Sequence, residues 1–245
     1  MSFVVFTSDK YLPVLKGFSS LFNKYWSPTQ DINILGFKAP SFKLPPNFNF
    51  ISAGRQEDYK PKDFCSPFRS ILQDLPGSTI TYFLEDTFLI APVDMDRYEE
   101  ASTLINSGSA QKIQLFWGGK EQYVETLPFN KTFREFPQNL NYRCNLAPSI
   151  IDKEYFLKYF IEGMSMWDFE ISNMAKSKND GAHILVSWKK PIVPWFNVVR
   201  QGEFNHLQWQ NISKSDSNHF GWNRFQTISS EDFPEITQYQ KWKAE

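Results

Sequence analysis

The stretch Ile80–Asp94 places two adjacent carboxylates, Glu85 and Asp86, inside an otherwise apolar and β-branched run. A run this short, closed by Pro92, predicts a buried strand rather than a helix. Burying two neighbouring carboxylates is costly unless a cation or several hydrogen-bond donors meet them. We therefore expect the strand to end at the acidic pair, at a sheet edge that faces a ligand cleft. A plain strand-end turn, in which Asp86 caps its own backbone, is the alternative.

The overall composition limits the classes of function. The 245 residues are enough for one large domain with a sizeable core. Lys+Arg 26 against Asp+Glu 27 give a formal net charge of -1, so no global field attracts nucleic acid or a membrane surface. Aromatic residues make up 17% of the chain, which suggests an aromatic-walled cleft as well as an aromatic core. No nucleic-acid partner is expected.

The cysteines and the N-terminus indicate the compartment. Cys65 and Cys144 lack the short spacing of a metal site, and we interpret both as reduced, buried thiols, with a disulfide as the alternative. The apolar run Phe3–Phe6 is too short for a signal peptide or a membrane-spanning helix. We therefore expect a cytoplasmic protein without a transmembrane segment.

Strand and helix patterns alternate up to residue 117. Apolar residues at three- and four-residue spacing between Leu12 and Trp26 predict a helix flanked by two short strands, the βαβ unit of a parallel sheet. An α/β three-layer sandwich with a mostly parallel central sheet is therefore expected. Its elements are strand Phe3–Phe6, the helix to Trp26, strands Asp31–Phe37 and Phe48–Ser52, a helix from Ser66 to Leu75, the strand that contains the acidic pair, helix Met95–Ile105 and strand Ile113–Trp117.

The remainder of the chain is less regular. Its aromatic and polar tail after Gly202 shows little periodicity, and we expect it to cover the cleft. Before this tail we expect strand Gln122–Leu127, a long loop Pro128–Asn141, strand Arg143–Ser149, a short helix capped by Asp152, a second helix to about Lys178, and strands Ala182–Trp188 and Val193–Val199.

A second acidic pair, Asp168 and Glu170, lies beside Trp167 at the start of a predicted helix. A carboxylate whose pKa is raised by neighbouring aromatic rings can accept a proton, so either acid is a candidate general base. Glu170 is the first choice, because alternation turns it to the same side as Asp168 but deeper into the helix start. Helix capping by either acid is the alternative.

Other polar residues give weaker signals. Arg55 follows a predicted strand and could bind a phosphate through two hydrogen bonds, or be an ordinary surface arginine. His183 is interpreted as structural, whereas His206 and His219 could complete a metal site or contact a diphosphate. The absence of a Gly-X-Ser-X-Gly motif, a spaced Cys/His pair and a Walker A loop argues against acyl hydrolases, cysteine proteases and kinases.

The chain resembles the small GT-A-fold glycosyltransferases of bacterial polysaccharide clusters and phage genomes. Three segments carry the resemblance: the strand and polar turn Phe3–Lys10, the acidic motif within Tyr82–Leu89, and Asn145–Glu170. The acidic motif departs from the common Asp-X-Asp form, because its two acids are adjacent. A metal-independent or degenerate site is therefore an alternative.

The resemblance implies a role for each segment. The Phe3–Lys10 turn, with Thr7, Ser8 and Asp9, is expected to contact the nucleotide. The pair Glu85 and Asp86 is expected to hold the sugar-nucleotide diphosphate and a divalent metal, Mn²⁺ or Mg²⁺, with Asp86 as the metal ligand and Arg55 as a further phosphate contact. In inverting members the acceptor-side acid acts as base, which suggests Glu170 or Asp168. One domain, 1–245, is expected, with a nucleotide-binding half (1–117), an acceptor-side half (118–202) and a C-terminal cover (203–245).

The implied function is transfer of a sugar from a nucleotide-diphosphate donor to a saccharide or other hydroxyl acceptor. This requires the two acidic pairs to face one pocket. A non-catalytic carbohydrate- or nucleotide-binding domain is one alternative. A nucleotidyltransferase is another, although such enzymes normally have a Gly-rich, basic N-terminal loop and the turn Thr7–Lys10 contains no glycine.

Overall fold

Short apolar strands alternate with amphipathic helices along the chain, as the apolar periodicity predicts. In this computed structural model the described residues are 1–60, 62–116, 125–200 and 203–204, with residues 200, 203 and 204 described by their backbone alone. The helices in this part are α1 (Val14–Tyr25), α2 (Cys65–Asp74), α3 (Met95–Asn106), α4 (Lys153–Tyr159) and α5 (Met166–Lys176). The strands are β1 (Ser2–Phe6), β2 (Ile32–Gly36), β3 (Phe48–Ser52), β4 (Thr79–Leu84), β5 (Thr87–Leu89), β6 (Lys112–Gln114), β7 (Leu127–Pro128), β8 (Phe133–Glu135), β9 (Ser149–Asp152), β10 (Ile184–Ser187), β11 (Trp195–Asn197), β12 (Val199–Arg200) and β13 (Glu203–Phe204).

One large sheet organises the described residues, with the strand order β3-β2-β1-β4-β9-β6-β10-β8-β7. Strands β1 to β4 are mutually parallel, so their carboxyl ends meet at one edge. Strand β9 runs antiparallel between β4 and β6, whereas β6 and β10 are parallel to each other. The α/β class with a mostly parallel central sheet is thus confirmed.

Helices cover both faces of this sheet. Helices α1 and α3 enclose one apolar core, and α2, α4 and α5 enclose the other. Strand β4 contributes to both, because successive side chains point to opposite faces: Phe83 lies in the first core and Tyr82 in the second. Among the described residues no helix is long and apolar enough to cross a membrane.

Several expected boundaries move in the second half of the chain. The predicted strand Arg143–Ser149 is wrong, since β9 starts only at Ser149, and the residues before it are held in turns by side-chain hydrogen bonds of Arg143 and Asn145. Asp152 caps α4 as expected. The predicted loop Pro128–Asn141 contains β8, a strand of three residues and too short to show a period.

Arg143 fixes this second half from within. Its side chain is fully buried and pairs with Asp180 at 3.0 Å. Asp180 also accepts hydrogen bonds from the hydroxyl groups of Tyr155 and Tyr159, at 2.8 and 2.7 Å. The guanidinium also donates to the backbone carbonyls of Phe136, Pro137, Ser177 and Ala182. One arginine thereby joins two loops, α4 and the end of α5.

Replacing Arg143 by methionine should lower the free energy of unfolding by about 3–5 kcal/mol, because it leaves Asp180 buried without its cation. Urea denaturation measures the change. Arg55→Met is the matched control, since Arg55 forms its ion pair with Asp58 at the surface. Equal midpoints for the two variants would show that the buried pair does not stabilise the fold.

Candidate functional site

The acidic pair lies at the carboxyl edge of the sheet, as the sequence predicts. Strand β4 ends at Leu84, and Glu85 and Asp86 form the turn that follows. The Glu85 amide donates to the Phe6 carbonyl at 3.2 Å, which holds this turn against the end of β1. The residues after β1 and the acids after β4 therefore share one rim.

Asp86 is held by a residue that is distant in sequence. Its Oδ2 accepts a hydrogen bond from Asn197 Nδ2 at 3.0 Å, and its backbone carbonyl accepts one from the Val198 amide at 2.9 Å. Asn197 reaches this position because β11 pairs with β5, with Asn197 opposite Thr87. The other carboxylate oxygen, Oδ1, is buried and has no hydrogen-bond partner among the described residues.

The electrostatics of the pair are unfavourable for two negative charges. Burial, reinforced by the charge of Asp86, raises the pKa of Glu85 well above its usual range, although backbone amides of Glu85 and Ser8 oppose this. Burial raises the pKa of Asp86 to about 6, despite the Asn197 hydrogen bond. Nearby Tyr11 has its pKa raised by burial and then by both carboxylates. Within the described part of the chain no lysine or arginine pairs with either acid.

These features suit a divalent cation that a substrate helps to bind. No group of three or more His, Cys, Asp or Glu that could hold a metal occurs in the residues described. Mg²⁺ is commonly bound by one or two carboxylates together with substrate phosphates. The unpartnered Oδ1 of Asp86, with Glu85 beside it, provides such an incomplete set of oxygen ligands.

The turn after β1 is tied to the neighbouring strands. Asp9 Oδ1 accepts from the Lys38 amide at 2.9 Å, and the Asp9 amide donates to Gln56 Oε1 at 3.1 Å. Thr7 is buried beneath this turn, whereas Ser8 and Asp9 are partly exposed. The three predicted nucleotide contacts thus lie at the rim of the acidic pair.

Arg55 sits at the end of β3 but is committed to local contacts. Its side chain is 71% exposed and binds Asp58 through two hydrogen bonds, at 2.6 and 3.2 Å. This arrangement matches an ordinary surface arginine. A phosphate-binding role for Arg55 remains a prediction.

The second acidic pair divides into two different environments. Asp168 is exposed and forms a capping box with Ser165, whose amide and hydroxyl both donate to Asp168 Oδ2. The hydrogen bond from the Ser165 side chain, followed by that from its backbone, lowers the pKa of Asp168, which makes it a weaker proton acceptor. Asp168 therefore matches the helix-capping alternative.

Glu170 is better placed for chemistry. It is half-buried, and its Oε1 accepts a hydrogen bond from the Leu146 amide at 2.9 Å. Strand β9 pairs antiparallel with β4, Ser149 opposite Tyr82, so the chain just before β9 lies next to the end of β4. The contact between Glu170 and Leu146 lies over the face of the sheet that carries Tyr82 and Lys112, since both of these side chains donate to the carbonyl of Asn145.

Sequence reasoning missed two residues of this site. Asn197 is 111 residues from Asp86, and no spacing rule connects them. Tyr11 directly follows the polar turn and could have been included with it. Of the histidines, His183 pairs with Glu135 at 2.6 Å away from the acids, and His206 and His219 lie outside the described residues.

No protein-family model matches this sequence, and neither does any curated protein. Among solved structures, residues 1-349 of S. aureus TarS, a GT-A-type glycosyltransferase, match 98% of this chain and 79% of their own length, with a TM-score of 0.50 and 12% identity. The fold is GT-A-like. The complex of TarS 1-349 with UDP-GlcNAc gives a TM-score of 0.51 at 14% identity, and a longer TarS structure, 48% of which is covered, gives 0.52. At these identities the likeness concerns the fold alone.

The charge of Asp86 should make the folded protein less stable than a variant that is neutral at this position. Folding raises the pKa of Asp86 from 3.8 to about 6. Between pH ~4 and pH ~6 the folded protein therefore binds more protons at Asp86 than the unfolded chain does, so the free energy of unfolding falls as the pH rises. Asp86→Asn, which keeps an acceptor for Asn197, should raise the free energy of unfolding by about 3 kcal/mol near neutral pH. In urea denaturation this gain should shrink near pH ~4. A gain of equal size at both pH values would mean that charge is not the cause.

Proposed function

We propose that this chain is a glycosyltransferase that moves a sugar from a nucleotide-diphosphate donor to a hydroxyl group of a saccharide or similar acceptor. The observation that carries the proposal is the buried pair Glu85 and Asp86 at the carboxyl edge of a GT-A-like sheet, without a cationic side chain among the described residues. Ligands of open α/β sheets bind at this edge. The binding of UDP-GlcNAc by TarS supports a nucleotide-sugar donor.

On the donor side the chemistry requires neutralisation of a leaving diphosphate. Asp86 Oδ1 and Glu85 are the oxygens that would hold Mg²⁺ or Mn²⁺, which when bound stabilises the negative charge of the leaving group. Asn197 orients Asp86 by donating to its other oxygen. The turn that contains Ser8 and Asp9 lies beside these acids and would contact the nucleotide.

On the acceptor side a hydroxyl group must lose a proton as it attacks. Glu170 suits this role because the Leu146 amide occupies only Oε1 of its carboxylate. Asp168 suits it less, since Ser165 donates two hydrogen bonds to one of its oxygens and the helix needs this cap. We therefore assign the general base to Glu170 and keep Asp168 as the second candidate.

Donor binding can be tested by thermal shift with UDP, GDP and Mn²⁺. The wild-type protein should be stabilised by a nucleoside diphosphate only when the metal is present, because the ion completes its ligands with phosphate oxygens. Asp86→Asn should abolish this shift, whereas the control Asp31→Asn, an exposed acid before β2, should keep it. Stabilisation by sugars alone would instead support a carbohydrate-binding domain, and a preference for nucleoside triphosphates would support a nucleotidyltransferase.

The base can be tested by Glu170→Gln. Transfer to a saccharide acceptor, measured as release of nucleoside diphosphate, should fall by about 10²-fold or more, while the metal-dependent thermal shift remains. Glu154→Gln, an exposed acid on α4, is the matched control. Undiminished transfer by Glu170→Gln would remove Glu170 from the reaction.

A further inference from the structure

Lys112 of β6 is buried without a carboxylate partner. Lys112 is 1% exposed. Its Nζ donates to the carbonyl oxygen of Asn145 at 2.8 Å and to Asn145 Oδ1 at 3.0 Å. No acid in the described residues lies within ion-pair distance of this Nζ. Burial lowers the pKa of Lys112 to about 8. Lysine is rarely buried in this way, because desolvating its charge is costly.

The peptide group between Asn145 and Leu146 connects Lys112 to Glu170, because it is hydrogen-bonded to both side chains. The Asn145 carbonyl and the Leu146 amide belong to the same planar unit, so they turn together. Lys112 Nζ and the Tyr82 hydroxyl both donate to the carbonyl oxygen at 2.8 Å, and the amide donates to Glu170 Oε1 at 2.9 Å. Donors on the carbonyl fix the orientation of the plane and polarise its N–H group.

The surrounding contacts keep this peptide group in place. Tyr82 and Lys112 come from β4 and β6, the two strands that flank β9, and so approach the carbonyl from both sides. The Asn145 side chain accepts from the Ala147 amide at 3.2 Å and donates to the Tyr142 carbonyl at 2.9 Å. A rotation of the plane would break several of these bonds at once.

We propose that Lys112 is a positioning residue for the acceptor-side base. Through the peptide group between Asn145 and Leu146 it holds the Glu170 carboxylate in a fixed position. The inference rests on the proposed function, in which Glu170 accepts the proton of the attacking hydroxyl. It does not involve the donor site, because none of the hydrogen bonds in this network involves Glu85 or Asp86.

The test compares Lys112→Met with Lys112→Arg. Methionine matches the lysine side chain up to Cε but lacks the ammonium group and donates no hydrogen bond, so kcat should fall about tenfold or more while the donor KM stays unchanged. Arginine, which keeps a charged hydrogen-bond donor at this position, should retain more of kcat than methionine does. Lys153→Met is the matched control, because Lys153 Nζ also donates to two backbone carbonyls, at 2.7 and 3.2 Å, but away from Glu170.

A spectroscopic measurement reports the same coupling without activity. In the NMR spectrum of leucine-labelled protein, the Leu146 amide proton should move upfield in Lys112→Met, and it should also do so in Glu170→Gln, which weakens the acceptor of this amide. Tyr82→Phe, which removes the second donor to the same carbonyl, should give a smaller shift in the same direction. This variant also serves as the test if Lys112→Met does not fold.

A double-mutant cycle separates positioning from a general loss of structure. In the Glu170→Gln background, Lys112→Met should cause no further fall in kcat, because both changes remove one function. An additional tenfold loss there, or an unmoved Leu146 amide in Lys112→Met, would overturn the inference. If Glu170→Gln alone keeps full transfer activity, the proposed base is wrong, whereas the amide signal still decides whether Lys112 positions Glu170.

Discussion

Burial of β4 on both faces is the constraint on which the site depends. Phe83 fills one core and Tyr82 the other, while β1 and β9 pair with the two edges of the strand. A shift of β4 by one residue would exchange the two faces and empty both cores, so its register is fixed by apolar packing. The position of Glu85 and Asp86 at the end of the strand is therefore set by core residues that do not contact either acid's ligand in the proposed function.

Two groups of buried charges in this protein, Arg143 with Asp180 and Glu85 with Asp86, differ in whether each charge has an opposite partner. Arg143 and Asp180 neutralise each other and are surrounded by further hydrogen bonds, which makes them a structural link. Glu85 and Asp86 repel each other and leave one carboxylate oxygen without a partner in the described residues. An uncompensated buried charge is destabilising, and such a cost is typical of sites whose ligand supplies the missing partner.

The two acidic pairs also depend on different parts of the sheet. The donor-side acids follow β4, which is parallel to β1, and Asn197 from β11 orients Asp86. Glu170 is held through the chain that enters the antiparallel strand β9. In the function that we propose, the first pair meets a diphosphate and Glu170 meets the hydroxyl group of an acceptor.

The sequence by itself determined the parallel α/β core and the place of the first acidic pair, because apolar periodicity and the end of a buried run are local signals. It also indicated that Asp168 and Glu170 could be either helix caps or a general base. Burial and hydrogen bonding in the structure distinguish the two, because Asp168 caps the helix and Glu170 does not. Only the tertiary structure brought Asn197 to Asp86 and Lys112 to Asn145, since these contacts join residues far apart in sequence. It also decided where β9 begins, because side-chain hydrogen bonds before Ser149 compete with strand formation, and no period in the sequence reveals them.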